Sequence, residues 1–138
     1  MSAPTINDMM VAYAADAVDF ARSNFDVHLD YSDESVQQVE SIAGKLHAAN
    51  PKGFLSKIFR KGPTDENIEI ICKMLGGYIG EIYRRSKGGE WAINEEFHAI
   101  GLLVDETWIF PPAKVYKRLT NGAEDDLWFY FRVMLEEP

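Results

Sequence analysis

Residues 64–91 read TDENIEIICKMLGGYIGEIYRRSKGGEW and carry the clearest helical pattern of the chain. Its apolar residues recur at helical spacing, acids stand in its first turn and bases near its end. Thr64 is a suitable N-cap and Gly88–Gly89 a suitable stop, so the stretch predicts one long helix. The apolar residues of its buried face are Ile68, Ile71, Cys72, Leu75, Ile79, Ile82 and Tyr83.

Three glycines interrupt this helical pattern at Gly76, Gly77 and Gly80. Each costs about 0.5–1 kcal/mol relative to alanine inside a helix. Another interaction must therefore offset this loss of helix stability, and the close approach of another backbone would supply it. We expect overpacking and a loss of stability if a larger side chain replaces Gly76 or Gly80.

Two amphipathic helices are predicted upstream, one from Thr5 to about Asn24 and one from Ser32 or Asp33 to Asn50. Thr5 or Asn7 can cap the first helix. The inner face of the second helix is formed by Val36, Val39, Ile42, Ala43 and Leu46.

The segment 51–63, PKGFLSKIFRKGP, carries four bases and no acid. Four apolar residues would share one face of a two-turn helix. We interpret the segment as a connecting turn whose apolar side rests on the core, because so short a helix is marginal alone. The alternative is a basic amphipathic anchor for a membrane or a partner.

The spacing of the apolar residues is no longer helical after Gly89. The residues that follow predict strands over 90–93, 98–104 and 107–110. Asp105–Glu106 makes the second turn. A short basic helix follows from Ala113 to Leu119, with Val115, Tyr116 and Leu119 facing inward. Residues 124–137 have helical spacing and an acidic start, but their aromatic residues also allow a terminal strand.

These elements predict an α+β fold, with an N-terminal helical layer packed on a small antiparallel sheet and a C-terminal helix or strand. The chain has 138 residues and is 46% hydrophobic, which suits a single domain over 1–138. Its one cysteine, Cys72, lies among apolar residues and is expected to be buried. No signal peptide or membrane span is recognisable, so a cytoplasmic protein that does not enter membranes is expected.

The net charge is −8, and the first 44 residues account for most of it. They contain eight carboxylates and one base, Arg22, so their net charge is −7. Such a chain is repelled by nucleic acid, whereas an acidic face can attract a basic protein. The alternative is a solvated surface that keeps the protein soluble. The candidate partner-binding carboxylates are Asp16, Asp19, Asp30, Asp33 and Glu34, and the candidate aromatic anchors are Trp108, Trp128 and Tyr130.

Recognisable catalytic chemistry is sparse. The three histidines and the cysteine lack zinc-ligand spacing, and no phosphate loop, dinucleotide motif or nucleophile elbow is present, so no metal and no cofactor are expected. One polar constellation remains. Glu81 and Arg85 are an i, i+4 pair, and Glu90 and Trp91 follow the glycine break. Either Glu81 and Arg85 form a structural ion pair that ties the long helix to the first strand, or these residues form a buried polar site for a ligand or for acid–base chemistry.

The run Leu75-Gly76-Gly77-Tyr78-Ile79-Gly80-Glu81, with Gly88-Gly89-Glu90-Trp91 and the segment 110–122, resembles small bacterial domains with a Leu-Gly-x-Tyr-x-Gly-Glu helix and a Gly-Gly-x-Trp turn. The resemblance covers roughly residues 64–131 and leaves the acidic N-terminal third outside. These domains are similar to cytoplasmic immunity proteins encoded beside secreted bacterial toxins. The resemblance carries no catalytic residues, which favours a non-enzyme.

The sequence thus predicts a protein-binding module, most concretely an immunity-type protein that binds and occludes a basic toxin. The alternative is a small enzyme or ligand-binding domain centred on Glu81, Arg85 and Trp91. A third reading is a homo-oligomer that associates through exposed aromatic residues.

Overall fold

The computed structural model describes residues 3–49 and 65–136. The segment 51–63, for which a connecting turn was predicted, and the predicted cap Thr64 lie outside the described residues. The elements in chain order are α1 (Ile6–Phe25), α2 (Ser35–Ala49), α3 (Asp65–Lys87), β1 (Glu90–Asn94), β2 (Ala99–Val104), β3 (Thr107–Ile109), α4 (Pro111–Asn121), a 3-10 turn (Ala123–Asp125) and α5 (Leu127–Glu136).

Helix α1 begins where the sequence predicts it. The Thr5 hydroxyl accepts from the backbone N–H of Asp8 at 3.0 Å, and the Asp8 carboxylate accepts from the Thr5 N–H at 3.0 Å. This reciprocal capping box satisfies two donors that the helix itself leaves free. Thr5 is therefore the cap. Asn7, the other candidate, uses its side-chain oxygen to accept the N–H of Trp91 at 2.8 Å and so ties α1 to β1.

Helix α2 starts at Ser35, two or three residues later than predicted. The residues before it form turns instead, in which the N–H groups of Ser35 and Val36 donate to the carbonyls of Ser32 and Asp33, three residues back. The predicted inner face is confirmed, since its five residues are all buried: Val36, Val39, Ile42, Ala43 and Leu46.

Helix α3 runs through the centre of the molecule, where α1 and α4 pack against it. The predicted close backbone approach is confirmed at Gly76, because a Cβ there would lie 2.5 Å from the Cα of Pro112 in α4. At Gly80 the neighbour is the indole ring of Trp91, so a side chain and not a backbone occupies the space. The glycines thus let α4 and β1 approach the helix axis.

The three strands form an antiparallel sheet in the order β1-β2-β3. Trp91 lies opposite Leu102, and both are buried on the face towards the helices. Strand β2 starts one residue after the predicted His98, whose φ is 52°. The predicted turn at Asp105–Glu106 is confirmed.

Helix α4 begins at Pro111, two residues before the predicted start, because proline is well accommodated in a first helical turn. Val115 and Leu119 are buried as expected. The inward placement of Tyr116 is wrong: its side chain is exposed, and Arg118, two residues later in the helix, is buried.

The C-terminal element is a helix, α5, which resolves the open choice between helix and strand. Its buried residues Leu127, Phe131 and Met134 recur at helical spacing. The Asp126 carboxylate accepts the N–H of Phe129 at 2.7 Å and caps the start. The α+β fold, with an N-terminal helical layer and a C-terminal helix, is confirmed.

Candidate functional site

The predicted polar site is centred on a buried carboxylate. Glu81 is 3% exposed and lies on α3 beside the equally buried Trp91. The indole N–H of Trp91 donates to Glu81 Oε2 at 2.8 Å, and the Arg84 guanidinium lies 3.4 Å from the same oxygen. Arg84 also donates to the Gly89 carbonyl at 3.1 Å. These contacts of Glu81, Arg84 and Trp91 hold the end of α3 against the start of β1.

The predicted pairing of Glu81 with Arg85 is wrong. Arg85 points instead towards the α1–α2 connection, where its guanidinium carbon lies 3.7 Å from the centre of the Tyr31 ring. Arg84, three residues after Glu81, takes the place of the i, i+4 partner. Glu90 is exposed at the start of β1. The structure therefore joins Glu81 to Trp91 and leaves Arg85 and Glu90 apart from them.

Beside Arg85 lies a hydrogen-bonded chain that sequence reasoning did not find. The Tyr78 hydroxyl accepts the backbone N–H of Tyr31 at 2.8 Å and contacts the Ser35 hydroxyl at 2.6 Å. Ser35 in turn donates to the Ser32 carbonyl at 2.6 Å. Burial raises the pKa of the Tyr78 phenol above its ordinary value. The hydroxyl groups of Tyr78 and Ser35 are thus both hydrogen-bonded, and these bonds hold the α1–α2 connection against α3.

A second buried ion pair was also missed. Arg118 of α4 is 6% exposed and forms a two-pronged contact with Glu40 of α2, with Nε and Nη2 each 2.8 Å from a carboxylate oxygen. Glu40 Oε1 also accepts the N–H of Leu127 at 2.9 Å, so one carboxylate joins three helices. The hydrogen bond to Glu40 raises the pKa of Arg118 further. No local spacing in the sequence indicates this contact.

The predicted carboxylates lie on the surface. We define the acidic surface as the five exposed residues Asp16 and Asp19 of α1 with Asp30, Asp33 and Glu34 of the α1–α2 connection. Within residues 3–49 and 65–136, none of the five forms a salt bridge. Hydrogen bonds from Ser32 lower the pKa of Asp30, which keeps that carboxyl ionised.

Two apolar side chains flank the acids of α1. At about 100° per residue, Asp19 falls near the middle of the exposed arc of the helix, Asp16 lies about 20° from Met9 at one edge of the arc, and Val11 lies at the other edge. Met9 is 40% exposed and Val11 is 43% exposed. The solvent face of α1 therefore combines unpaired negative charge with apolar contact area.

The aromatic candidates lie elsewhere. Trp108 is on β3, the strand at the opposite edge of the sheet from β1, and β1 is the strand that α1 contacts. Trp128 is on α5, where its ring stacks on Phe131 at 6.4 Å and Arg132 lies over it at 5.4 Å. The structure thus does not bring Trp108 to the acidic surface.

Trp108 belongs to a groove between β3, the β1–β2 turn, α4 and α5. We define the aromatic groove by six of its lining residues: Phe97, Trp108, Phe110, Lys114, Lys117 and Tyr130. Its volume is about 560 Å³. Sequence reasoning selected Trp108 and Tyr130 as anchors but gave no reason to place the lysines beside them.

A second groove, of about 710 Å³, lies between α3 and α4 and is lined in part by Cys72, Lys73 and His98. Burial raises the pKa of the Cys72 thiol to about 12, so this cysteine is a buried hydrophobe as predicted and is not a thiolate nucleophile near neutral pH.

Within the described residues, no group of three or more histidine, cysteine or acidic side chains could hold a metal ion. No helix in this part of the chain has both the length and the apolar character to cross a membrane. Comparisons with protein-family models, with curated proteins and with solved structures give no match to the chain.

Proposed function

We propose that the chain is a protein-binding module that docks a basic partner on the acidic surface and on the flanking Met9 and Val11. The observation that carries the proposal is the solvent face of α1, on which exposed carboxylates have no basic partner among the described residues and large apolar side chains stand beside them. Apolar contact supplies dwell time, and the negative field attracts the partner.

The uneven distribution of charge supports this proposal. The first 44 residues carry −7, and their one base is Arg22. Among the bases of α3 and α4, Arg84 and Arg118 are paired with Glu81 and Glu40, whereas Arg85 lies over the Tyr31 ring next to the acidic surface without forming a salt bridge within the described residues. Arg84 and Arg118 therefore do not neutralise the field of the acidic surface, which reaches about one Debye length into solvent, about 8 Å at physiological salt.

We further propose that the partner is a toxin with a basic surface, that the chain acts as an immunity-type inhibitor by covering that surface, and that it does so in the cytoplasm. The resemblance of residues 64–131 to such domains supports this. The residues that carry the resemblance pack the scaffold: Gly76 against Pro112, and Gly80 and Glu81 against Trp91. The specificity for the partner then comes from the acidic N-terminal third, which the resemblance does not cover.

The alternative of an enzyme or ligand site on Glu81, Arg85 and Trp91 gains no support from these contacts. Glu81 and Trp91 are each 3% exposed, and Arg85 is engaged with Tyr31. Neither of the two grooves described above is lined by these three residues. The contacts instead support a role in holding β1 against α3.

The test begins with capture of a partner from the native host and continues with its association rate. Asp16→Asn/Asp19→Asn should slow association about three- to tenfold at low salt, because steering depends on local charge. The matched control is Glu95→Gln/Glu96→Gln in the β1–β2 turn, which removes the same charge from other exposed positions. Met9→Ser should mainly speed dissociation.

The proposal fails if the two charge variants slow association equally, because only net charge would then matter. It also fails if neither variant changes the rate or its dependence on salt. Self-association of the chain through the acidic surface, detected by sedimentation in the absence of a partner, would support the homo-oligomer reading instead.

A further inference from the structure

The aromatic groove has walls suited to a flat apolar body. Trp108 and Phe110 are two positions apart, and their rings are nearly parallel, with an interplanar angle of 9° and centroids 5.9 Å apart. Phe97 meets Phe110 edge-on at 5.7 Å and remains 63% exposed. Sites for small molecules commonly have about 300–1,000 Å³ and apolar walls, and this groove has about 560 Å³.

The charge of the groove is opposite in sign to that of the chain. Its charged lining residues are Lys114 and Lys117 on α4. Lys114 is engaged, since its ammonium lies 2.8 Å from Asp125 Oδ1 and 5.6 Å from the centre of the Tyr130 ring. Lys117 is exposed and forms no salt bridge within residues 3–49 and 65–136. One positive charge is therefore left for a ligand.

Tyr130 of α5 also lines the groove. Burial raises the pKa of its phenol to about 12, while a backbone hydrogen bond with Phe110 acts in the opposite direction. The phenol is therefore neutral near pH 7 and does not repel an anion. The lining thus combines aromatic rings, a neutral phenol and one exposed ammonium, that of Lys117.

We propose that the aromatic groove binds a small organic anion with a planar apolar body, of the class of aromatic carboxylates and sulfonates. The body lies against Trp108, Phe110 and Phe97, and the acidic group meets Lys117. A neutral aromatic would lose the contact with Lys117, and a small inorganic anion would lose the apolar contact. This proposal is independent of the acidic surface, which lies towards the other edge of the sheet.

The experiment uses a matched pair of probes with the full chain. One is 8-anilinonaphthalene-1-sulfonate, and the other is N-phenyl-1-naphthylamine, which has the same rings without the sulfonate. Fluorescence titration should give one equivalent of the sulfonate. Lys117→Gln should weaken its binding about fivefold, the effect of one partly exposed ion pair, and leave the amine within twofold. Phe97→Ser should weaken both probes.

The matched control is Lys87→Gln, which removes one exposed charge at the end of α3 and should leave both probes unchanged. Nuclear magnetic resonance of the indole N–H signals localises the site, with the Trp108 signal identified by its loss in Trp108→Phe. The proposal is overturned if Lys117→Gln and Lys87→Gln have equal effects, if both probes bind equally well, or if the Trp108 signal stays in place at saturation. Unfolding midpoints of the variants confirm that each is folded.

Discussion

Alanine substitutions at the three glycines of α3 test how closely the neighbouring elements approach this helix. Each substitution adds one Cβ to the same buried helix, and each gains about 1 kcal/mol in intrinsic helix propensity. The space that the new methyl group would enter differs among the positions. The series Gly76→Ala, Gly77→Ala and Gly80→Ala therefore isolates the packing cost at constant propensity.

At Gly76 the new Cβ would lie 2.5 Å from the Cα and the nitrogen of Pro112, so the backbone of α4 must move. At Gly80 it would overlap the indole of Trp91, which is held by its 2.8 Å hydrogen bond to Glu81. Overpacking costs about 1–3 kcal/mol, and a weakened bond to a buried carboxylate adds about 1 kcal/mol or more. After the gain in helix propensity is subtracted, we expect net losses of about 0–2 kcal/mol at Gly76 and about 1–3 kcal/mol at Gly80.

Gly77 is the internal control. A Cβ there would lie 3.2 Å from Met10 Cε, the flexible end of a side chain, and 3.3 Å from the Met10 carbonyl. Propensity and crowding nearly cancel, so the expected change is close to zero. Urea unfolding followed by circular dichroism gives the three free energies. Equal changes at all three positions, or stabilisation by Gly76→Ala, would show that α4 and Trp91 do not restrict the space at these glycines.

Three further predictions concern buried polar groups. Arg118→Met should lower the free energy of unfolding by about 3–5 kcal/mol because it leaves the Glu40 carboxylate without its cationic partner. Adding Glu40→Met should restore part of this loss, and no recovery in the double variant would contradict the prediction. A double-mutant cycle between Glu81 and Arg84 should give a coupling of about 1 kcal/mol or less, since Arg84 is partly exposed and 3.4 Å away; a coupling above about 3 kcal/mol would show a stronger pair. The pKa of Cys72 is raised from 9.0 to about 12, so the unfolded thiol ionises first and stability should fall as pH rises from about 9 towards 12. Cys72→Ala should make that decline in the unfolding free energy shallower, and an unchanged slope would contradict the assignment.

The helices and strands were predictable because their apolar residues follow local periods. The long helix, its end at Gly88–Gly89 and the three strands lie within a few residues of their predicted bounds. The C-terminal residues allowed both a helix and a strand, because Trp128 and its aromatic neighbours each have a high intrinsic propensity for strands. Burial of Leu127 and Phe131 on one face of α5 decides for a helix, and this burial depends on tertiary packing.

The contacts that set the candidate sites were less predictable because their partners are distant in sequence. Glu40 and Arg118 are 78 positions apart, and Tyr78 and Ser35 are 43 positions apart. The choice of Arg84 over Arg85 as the partner of Glu81 follows from the position of Tyr31, which no helical spacing reveals. The exposed carboxylates, in contrast, were predictable, since charged side chains are seldom buried without partners.

Hydrogen–deuterium exchange of the chain, measured alone and in complex with the captured partner, shows whether the partner binds the acidic surface. We expect protection of the first turns of α1 around Met9 and Val11 and of the α1–α2 connection around Asp30 and Asp33. No change is expected at β3. Protection confined to the aromatic groove, or no protection on α1 in a saturated complex, would contradict the proposal that the acidic surface is the binding surface.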